Sequence, residues 1–282
     1  MENLVGKAIS NLGISLPDGL IDISDILARL HIKKVYIISM TGRCGSTWLA
    51  SELACFGNAG RPSEYFSEQR IPHEHKDIDF SSVEEFLESL IQKGRTGETF
   101  GFKIDANRLR WLSEIIDIKA SFSSLEPVWI DMRRRNIVKQ GISFLRAKQT
   151  GVWHVFQGSG RSVDASKIQN GAFEDNALWS EINRIRDAEE WLDSFYRSND
   201  IRPMRIVYED MVDSSAIIIR RILFRIGWND VHGKIEDKEG EGVIKTIKIG
   251  DDNYLAGELE FVSRNIAAIE RLLSERDIHD GY

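Results

Sequence analysis

The sequence is poor in cysteine and has no cluster of side chains typical of a metal site. Cys44 and Cys55 are the two cysteines among 282 residues, and no group of histidines lies near them. This excludes a disulfide framework and a zinc-binding pattern, and reduced thiols are the simplest interpretation. His73 and His75 lie two residues apart in a polar segment that offers no further ligands. We therefore expect no bound metal.

A long hydrophobic run and an excess of positive charge are also absent. No stretch approaches the roughly 18–20 apolar residues that a membrane helix needs, and acidic residues interrupt the first thirty positions, unlike a secretory signal. We therefore expect a soluble, cytoplasmic protein without a transmembrane segment. The 44 acidic and 37 basic residues give a formal net charge of −7. This balance argues against nucleic acid as a partner, although a local basic pocket can still bind an anion.

The pattern of apolar residues predicts an α/β fold. Runs rich in β-branched and aromatic residues predict four strands, at 34–39, 99–104, 127–132 and 204–208. Helical periodicity predicts helices at 3–12, 22–30, 46–56, 81–92, 106–116, 136–148, 177–198, 214–227 and 257–274. Strands that alternate with helices are typical of a central parallel sheet with helices on both faces.

The length is compatible with one domain spanning residues 1–282. Residues 1–33, which precede the first predicted strand, form a helical extension in this interpretation. Residues 151–176 are polar, contain four glycines and interrupt the alternation of strands and helices. A polar segment of this length inside a compact domain usually serves as a functional lid or an insertion, and we predict a lid here.

The first predicted strand leads into a phosphate-binding loop that lacks the usual lysine. In the stretch VYIISMTGRCGSTW, residues 35–48, Met40 replaces the first glycine of the pattern GxxxxGK[ST] and Ser46 replaces the lysine. A glycine turn between a strand and a helix presents backbone N–H groups at the positive end of the helix dipole. Ser46 and Thr47 add hydroxyl donors, and Arg43 adds positive charge. The turn suits a phosphate or a sulfate, but by itself it is equally compatible with a connection that binds nothing.

Two further stretches make the sequence resemble the Stf0 family of bacterial carbohydrate sulfotransferases. They are GNAGRPSEYF at 57–66 and PVWIDMRRRNIVKQGISFLRAKQTGVW at 127–153, with a weaker echo in VYED at 207–210. Together with the loop they occur in the family's order, and the resemblance covers about 35–155. The chain departs from the family pattern at Cys44, where a serine is usual, and at Arg135, where a proline is usual.

The resemblance implies a P-loop-like three-layer fold and a sulfuryl donor, 3′-phosphoadenosine-5′-phosphosulfate, used without a metal. The 5′-phosphosulfate would lie in the loop, and the 3′-phosphate would lie beside Arg134 and Ser143. The arginine triplet 133–135 leaves open which guanidinium faces the phosphate, because three arginines also suit a solvated helix start. The donor-binding loop residues would be Gly42, Arg43, Cys44, Gly45, Ser46 and Thr47.

The resemblance also implies an acceptor, the hydroxyl of a carbohydrate or a glycolipid, and a catalytic base. Glu64 in RPSEYF would take the acceptor proton, although an exposed loop glutamate is an equally good local interpretation. Lys103 ends a predicted strand and would balance charge on the moving sulfuryl group. The acceptor would contact three residues near the lid: Arg146, Gln149 and Trp153. Lys245 and Lys248 are weaker candidates for closing over the donor.

Two other functions remain open from the sequence. One is a P-loop kinase-like phosphotransferase, since Asp131 ends an apolar strand where such enzymes place an acid. The other is a non-catalytic module that binds a nucleotide or an anion. The sequence does not identify the acceptor, because specificity resides in variable loops. It is compatible with a homodimer and does not determine the oligomeric state.

Overall fold

The structure, a computed structural model, describes residues 3–75, 77–151, 153, 175–228, 263 and 265–275. Its strands are β1 (Lys34–Met40), β2 (Arg95–Thr96), β3 (Thr99–Asp105), β4 (Val128–Arg133) and β5 (Met204–Val207). Its helices are α1 (Leu4–Ser10), α2 (Ser24–Arg29), α3 (Ser46–Ala54), α4 (Arg70–His75), α5 (Val83–Gly94), α6 (Ala106–Leu112), α7 (Ile118–Ser121), α8 (Ile137–Thr150), α9 (Asp175–Ser198), α10 (Tyr208–Arg225) and α11 (Ile266–Glu275).

The sheet has five strands in the order β2-β3-β1-β4-β5. The four strands predicted from the sequence are the parallel ones, since β1 pairs in parallel with β3 and β4, and β4 pairs in parallel with β5. The fifth strand, β2, has two residues and pairs antiparallel with β3. The predicted α/β, P-loop-like class is therefore confirmed. The sheet is mixed and not fully parallel, because a short edge strand carries too little sequence signal to be predicted.

Alternate residues of β1 belong to two different cores, which explains the helices on both faces of the sheet. Val35 and Ile37 belong to a core that includes residues of α1, α2, α5, α6 and α9. Tyr36 and Ile38 point to the opposite face, where the core includes residues of α3 and α10. Successive side chains of a strand point to opposite faces, so a central strand buried on both sides reads as a continuous apolar run.

The parallel strands bring four chain segments to one edge of the sheet. Residues 41–45 follow β1, α6 follows β3, residues 134–136 follow β4, and α10 follows β5. In open α/β sheets this carboxyl edge is where ligands bind. The fold therefore gathers here the loop, the arginine triplet and the 207–210 stretch that were singled out in the sequence.

The differences from the predicted elements are local. The short helices α4 and α7 were missed, and α10 begins at Tyr208 although the sequence predicted a helix from Ser214. Ser214 has non-helical angles, φ −147° and ψ 46°, so α10 bends at that residue and its first turn lies against the sheet edge. Most of the predicted lid, 151–176, and the two lysines Lys245 and Lys248 lie outside the described residues.

Candidate functional site

The loop between β1 and α3 has the backbone of an anion-binding turn. Gly45 is the N-cap of α3 at φ 89°, and Arg43 also adopts a left-handed conformation at φ 69°. A Cβ atom on Gly45 would lie 2.4 Å from Cδ2 of Tyr208, so only glycine fits at this position. Within the described residues no side chain caps α3. Apart from the N–H of Ser46, which interacts with Cys44, backbone N–H groups at the first turn of α3 can therefore bind an anion.

Helix α8 braces this loop from the side of the neighbouring strand. The Nε2 atom of Gln140, a fully buried residue, donates to Thr41 Oγ1 and to the carbonyl oxygen of Gly42, both at 2.8 Å. Arg43 donates through Nε to Ser143 Oγ at 3.0 Å and through its guanidinium to the carbonyl oxygen of Trp153. The structure thus brings Ser143 and Arg43 together. Gln140 was missed, although a glutamine one turn before Ser143 offered a signal.

Lys103 connects the loop with Glu64. Its Nζ atom lies 2.8 Å from Thr47 Oγ1 and 2.8 Å from Glu64 Oε1. Lys103 is 5% exposed at the carboxyl end of β3, and its backbone N–H donates to the carbonyl oxygen of Ser63, which fixes the segment carrying Glu64 beside the strand. The two residues predicted to be catalytic therefore form one partly buried ion pair that touches the loop between β1 and α3.

A second cation, Arg108, binds the other oxygen of Glu64. Its Nη1 atom lies 3.3 Å from Glu64 Oε2, and it also contacts Glu68 and Asp105. Burial alone would lower the pKa of Arg108, but the carboxylates of Asp105 and Glu68 raise it, so the guanidinium stays charged. Sequence reasoning missed these residues, because their relation to Glu64 depends on how the 57–69 segment packs on α6.

The three consecutive arginines after β4 have different surroundings. Arg133 is buried and binds Asp131 at 2.9 Å and Asp193 at 2.5 Å. Arg135 is half exposed and pairs with Asp210 at 2.8 Å. The Nε atom of Arg134 is buried and has no hydrogen-bond partner among the described residues; the nearest carboxylate oxygen, on Glu209, lies 3.8 Å away. Of the three, Arg134 thus has an unfilled buried donor at the sheet edge.

The first turn of α10 connects Arg134 with the loop. The guanidinium carbon of Arg134 lies 4.9 Å from the centroid of the Tyr208 ring, and Tyr208 contacts the Cα side of Gly45. Glu209 accepts backbone hydrogen bonds from Arg135 N at 2.8 Å and Asn136 N at 3.2 Å, which satisfies orphan donors at the start of α8. The weak 207–210 motif therefore contacts both the loop after β1 and the arginine triplet, which the sequence alone did not indicate.

The three predicted acceptor residues lie along the end of α8 and just after it. Arg146 is half-buried, Gln149 is exposed, and Trp153 is 42% exposed with its ring packed edge-on against Phe144 at 5.4 Å. Trp153 reaches the loop between β1 and α3 through its carbonyl oxygen, which accepts from Arg43. The structure thus places Trp153 beside the loop, whereas residue 152 and residues 154–174 lie outside the described part.

The described residues contain neither a metal-binding cluster nor a membrane-spanning helix. In the part of the chain that the structure describes, no group of three or more His, Cys, Asp or Glu side chains is arranged to hold a metal ion. No helix among the same residues has the length and hydropathy to cross a membrane.

Comparison with known proteins gives the family of the chain. The family model for Stf0 sulphotransferases matches residues 35–238. Trehalose 2-sulfotransferase of Mycobacterium tuberculosis (strain ATCC 35801 / TMC 107 / Erdman) is 24% identical over 229 residues, which cover 68% of this chain and 84% of the relative. Trehalose 2-sulfotransferase of Mycolicibacterium smegmatis (strain ATCC 700084 / mc(2)155) is 25% identical over 235 residues, with the same shares covered. Because the family model covers more than half of the chain, from β1 to beyond α10, the protein belongs to the Stf0 sulfotransferase family.

Proposed function

We propose that the protein transfers a sulfuryl group from 3′-phosphoadenosine-5′-phosphosulfate to a hydroxyl group of a carbohydrate or a glycolipid. One observation carries this proposal: Lys103 lies within 2.8 Å of both Thr47 in the anion-binding loop and Glu64 opposite it. A cation between the proposed donor-binding turn and a carboxylate suits this transfer, because it offsets negative charge that develops between the two sides.

The residues at the sheet edge fit the two charged ends of this donor. The turn of Gly42–Thr47 offers backbone N–H groups to the 5′-phosphosulfate at the start of α3. The buried, unfilled Nε of Arg134 suits the 3′-phosphate, because a buried donor without a partner is costly unless a ligand satisfies it. Ser143 accepts a hydrogen bond from Arg43, so we propose that it supports the loop as well as contacting the phosphate.

The donor supplies an activated sulfuryl group, and the chain supplies orientation and a base. Glu64 accepts the proton of the acceptor hydroxyl as its oxygen forms a bond to sulfur and the bond from sulfur to the phosphate oxygen breaks. The electron pair of that bond leaves with adenosine 3′,5′-diphosphate. Lys103 offsets negative charge near the transferred group. Trp153, Arg146 and Gln149 are proposed to contact the sugar, since an exposed indole suits stacking on a pyranose ring.

The alternative functions are less well supported at this site. Asp131, the acid that a kinase-like enzyme would use for Mg²⁺, is fully buried, and its Oδ2 atom accepts from Arg133 at 2.9 Å and Arg205 at 3.0 Å. A non-catalytic binding module has no need for Glu64 to be held against Lys103. The sulfotransferase reaction uses both residues.

Calorimetry with two nucleotides tests the donor. We expect adenosine 3′,5′-diphosphate to bind more tightly than ATP, with no requirement for Mg²⁺. Tighter binding of ATP that Mg²⁺ strengthens would refute the sulfotransferase proposal and favour the kinase-like one. The acceptor is tested by incubating the protein with ³⁵S-labelled donor and a panel of sugars and glycolipids, beginning with trehalose, the sugar in the relatives' names.

Glu64→Gln tests the base. The variant keeps the shape of the side chain and removes the proton acceptor, so turnover should fall by about 10²–10⁴-fold. Affinity for adenosine 3′,5′-diphosphate should change little, because Glu64 faces the acceptor side of the loop. Near-normal turnover in a folded Gln variant, verified by circular dichroism, would remove Glu64 from the mechanism.

A further inference from the structure

Arg108 is enclosed by three carboxylates next to the proposed base. Its Nε and Nη2 atoms bind the two oxygens of Glu68 at 2.6 and 3.0 Å, and its Nη1 atom binds Asp105 and lies 3.3 Å from Glu64 Oε2. The side chain is 17% exposed. No family motif drew attention to this residue, and the proposed reaction gives it no direct contact with the donor.

The local sequence explains how an arginine comes to this place. Asp105 ends β3 and caps α6, because its Oδ1 atom accepts from the N–H groups of Asn107 at 3.0 Å and Arg108 at 3.2 Å. Arg108 therefore lies in the first turn of α6, where the helix dipole disfavours a cation. The carboxylates around it offset this cost.

The two carboxylate oxygens of Glu64 have different partners, one on the side of the loop and one on α6. Oε1 accepts from Lys103, which also donates to Thr47 in the donor-binding loop, whereas Oε2 faces Arg108. Arg108 is bound at two points by Glu68, and a planar guanidinium held this way has one orientation. Lys103 has a flexible stem and a partner on the donor side. Arg108 thus contacts Glu64 from a position fixed by a second carboxylate, whereas Lys103 divides its donors between Glu64 and the loop.

We propose that Arg108, oriented by Glu68, is a positioning residue for Glu64, an inference that rests on the proposed function of Glu64 as the base. Arg108 holds the carboxylate in place through Oε2 while Lys103 turns toward the charge that develops on the transferred group. The cluster has two positive and three negative groups: Lys103, Arg108, Glu64, Glu68 and Asp105. When Lys103 interacts with the donor, Arg108 is the cation of this cluster that still contacts Glu64.

The test compares variants that separate charge from geometry. Arg108→Gln combined with Glu68→Gln removes one charge of each sign and keeps the net charge of the cluster, which protects folding. We expect kcat to fall by about 10²-fold through misplacement of Glu64, with unchanged affinity for adenosine 3′,5′-diphosphate and an acid limb of the pH–rate profile moved to higher pH. Arg108→Lys keeps the positive charge but not the planar guanidinium with its two-point contact to Glu68, so its kcat should lie between those of the double variant and the parent protein. Glu68→Gln alone, which leaves Arg108 beside Glu64, should lose less.

A matched control and a readout independent of turnover complete the experiment. Arg29→Gln breaks an exposed arginine–glutamate pair, with Glu88, far from the site in sequence and should leave kcat unchanged. The ¹³C resonance of the Glu64 carboxyl, assigned by its loss in Glu64→Gln, should titrate at higher pH in the double variant than in the parent protein. The variant loses the cation that contacts Glu64, and this outweighs the opposite effect of losing the Glu68 carboxylate, because Arg108 already neutralises that charge in the parent protein.

The outcomes distinguish this inference from the proposed function. A parent protein that transfers sulfuryl groups, combined with double-variant kinetics and a Glu64 titration equal to those of the Arg29 control, would overturn the role of Arg108 and leave the sulfotransferase proposal intact. A parent protein without transfer to any acceptor would refute the proposed function. In that case an unchanged Glu64 titration refutes the interaction as well, whereas a shifted one supports the positioning of Glu64 by Arg108.

Discussion

Replacing Gly45 by alanine tests whether the loop and the first turn of α10 form one packed unit. Gly45 has φ 89°, a conformation that costs an alanine about 1–2 kcal/mol. Its new Cβ atom would also lie 2.4 Å from Cδ2 of Tyr208 and 3.3 Å from Cε of Met132. Overpacking of this kind costs typically 1–3 kcal/mol. We therefore expect Gly45→Ala to lower the free energy of unfolding by about 2–5 kcal/mol.

The clash has a functional consequence because Tyr208 is not free to move. Its ring lies under Arg134 at 4.9 Å and contacts the edge of Trp48 at 6.3 Å between ring centroids. Displacing the ring shifts the guanidinium proposed to bind the 3′-phosphate. Affinity for adenosine 3′,5′-diphosphate should therefore fall together with stability.

Gly13→Ala is the matched control. Gly13 has φ 81°, close to that of Gly45, but a Cβ atom there would have no neighbour within 4 Å among the described residues. Thermal unfolding of both variants separates the backbone cost, which they share, from the clash. At roughly 2 °C per kcal/mol for a chain of this size, Gly45→Ala should melt several degrees below Gly13→Ala. Equal melting temperatures and equal nucleotide affinities would refute the packing of Tyr208 against the loop.

Three further predictions follow from individual side chains. Arg134→Ala should weaken binding of adenosine 3′,5′-diphosphate by about 1.5–3 kcal/mol in calorimetry, and Arg135→Ala, at an exposed pair, should change it little; equal small losses would exclude Arg134 from the donor site. Burial raises the pKa of the Cys44 thiol to about 11, so at pH 8 its thiolate fraction is about 10⁻³ and native protein treated with iodoacetamide should be alkylated at Cys55 and spared at Cys44, as mass spectrometry of the digest would reveal. Burial lowers the pKa of His75, so below about pH 6.5 the unfolded chain binds a proton that the folded chain does not. The free energy of unfolding should therefore fall as the pH drops, by at most roughly 1.4 kcal/mol per pH unit. Denaturation at pH 7 and pH 5 should show a smaller loss of unfolding free energy for His75→Phe than for the parent protein, and an equal loss would exclude His75 as the source.

The sequence alone determined the alternation of strands and helices, because strand and helix leave different periods of apolar residues. It also determined the position of the glycine turn between β1 and α3, because the end of a buried apolar run followed by glycines marks such a connection, but the turn alone left open whether an anion binds there. The family followed from three separated motifs in order. The two-residue strand β2 and the early start of α10 left no such pattern, because short elements and a helix interrupted at Ser214 carry little periodicity.

The site's ionic network was decided by the tertiary structure. Glu64 and Lys103 are 39 positions apart, and their pairing depends on the backbone hydrogen bond from Lys103 to Ser63 that lays the 57–69 segment along β3. Arg108 becomes a partner of Glu64 only because Asp105 caps α6 and sets the direction of its first turn. Within RRR at 133–135 the sequence shows three equal cations. In the structure Arg133 is buried among carboxylates, Arg135 is exposed, and Arg134 has a buried Nε atom without a hydrogen-bond partner among the described residues. The sequence could not separate them, because charge pairing depends on distances that residue order does not encode.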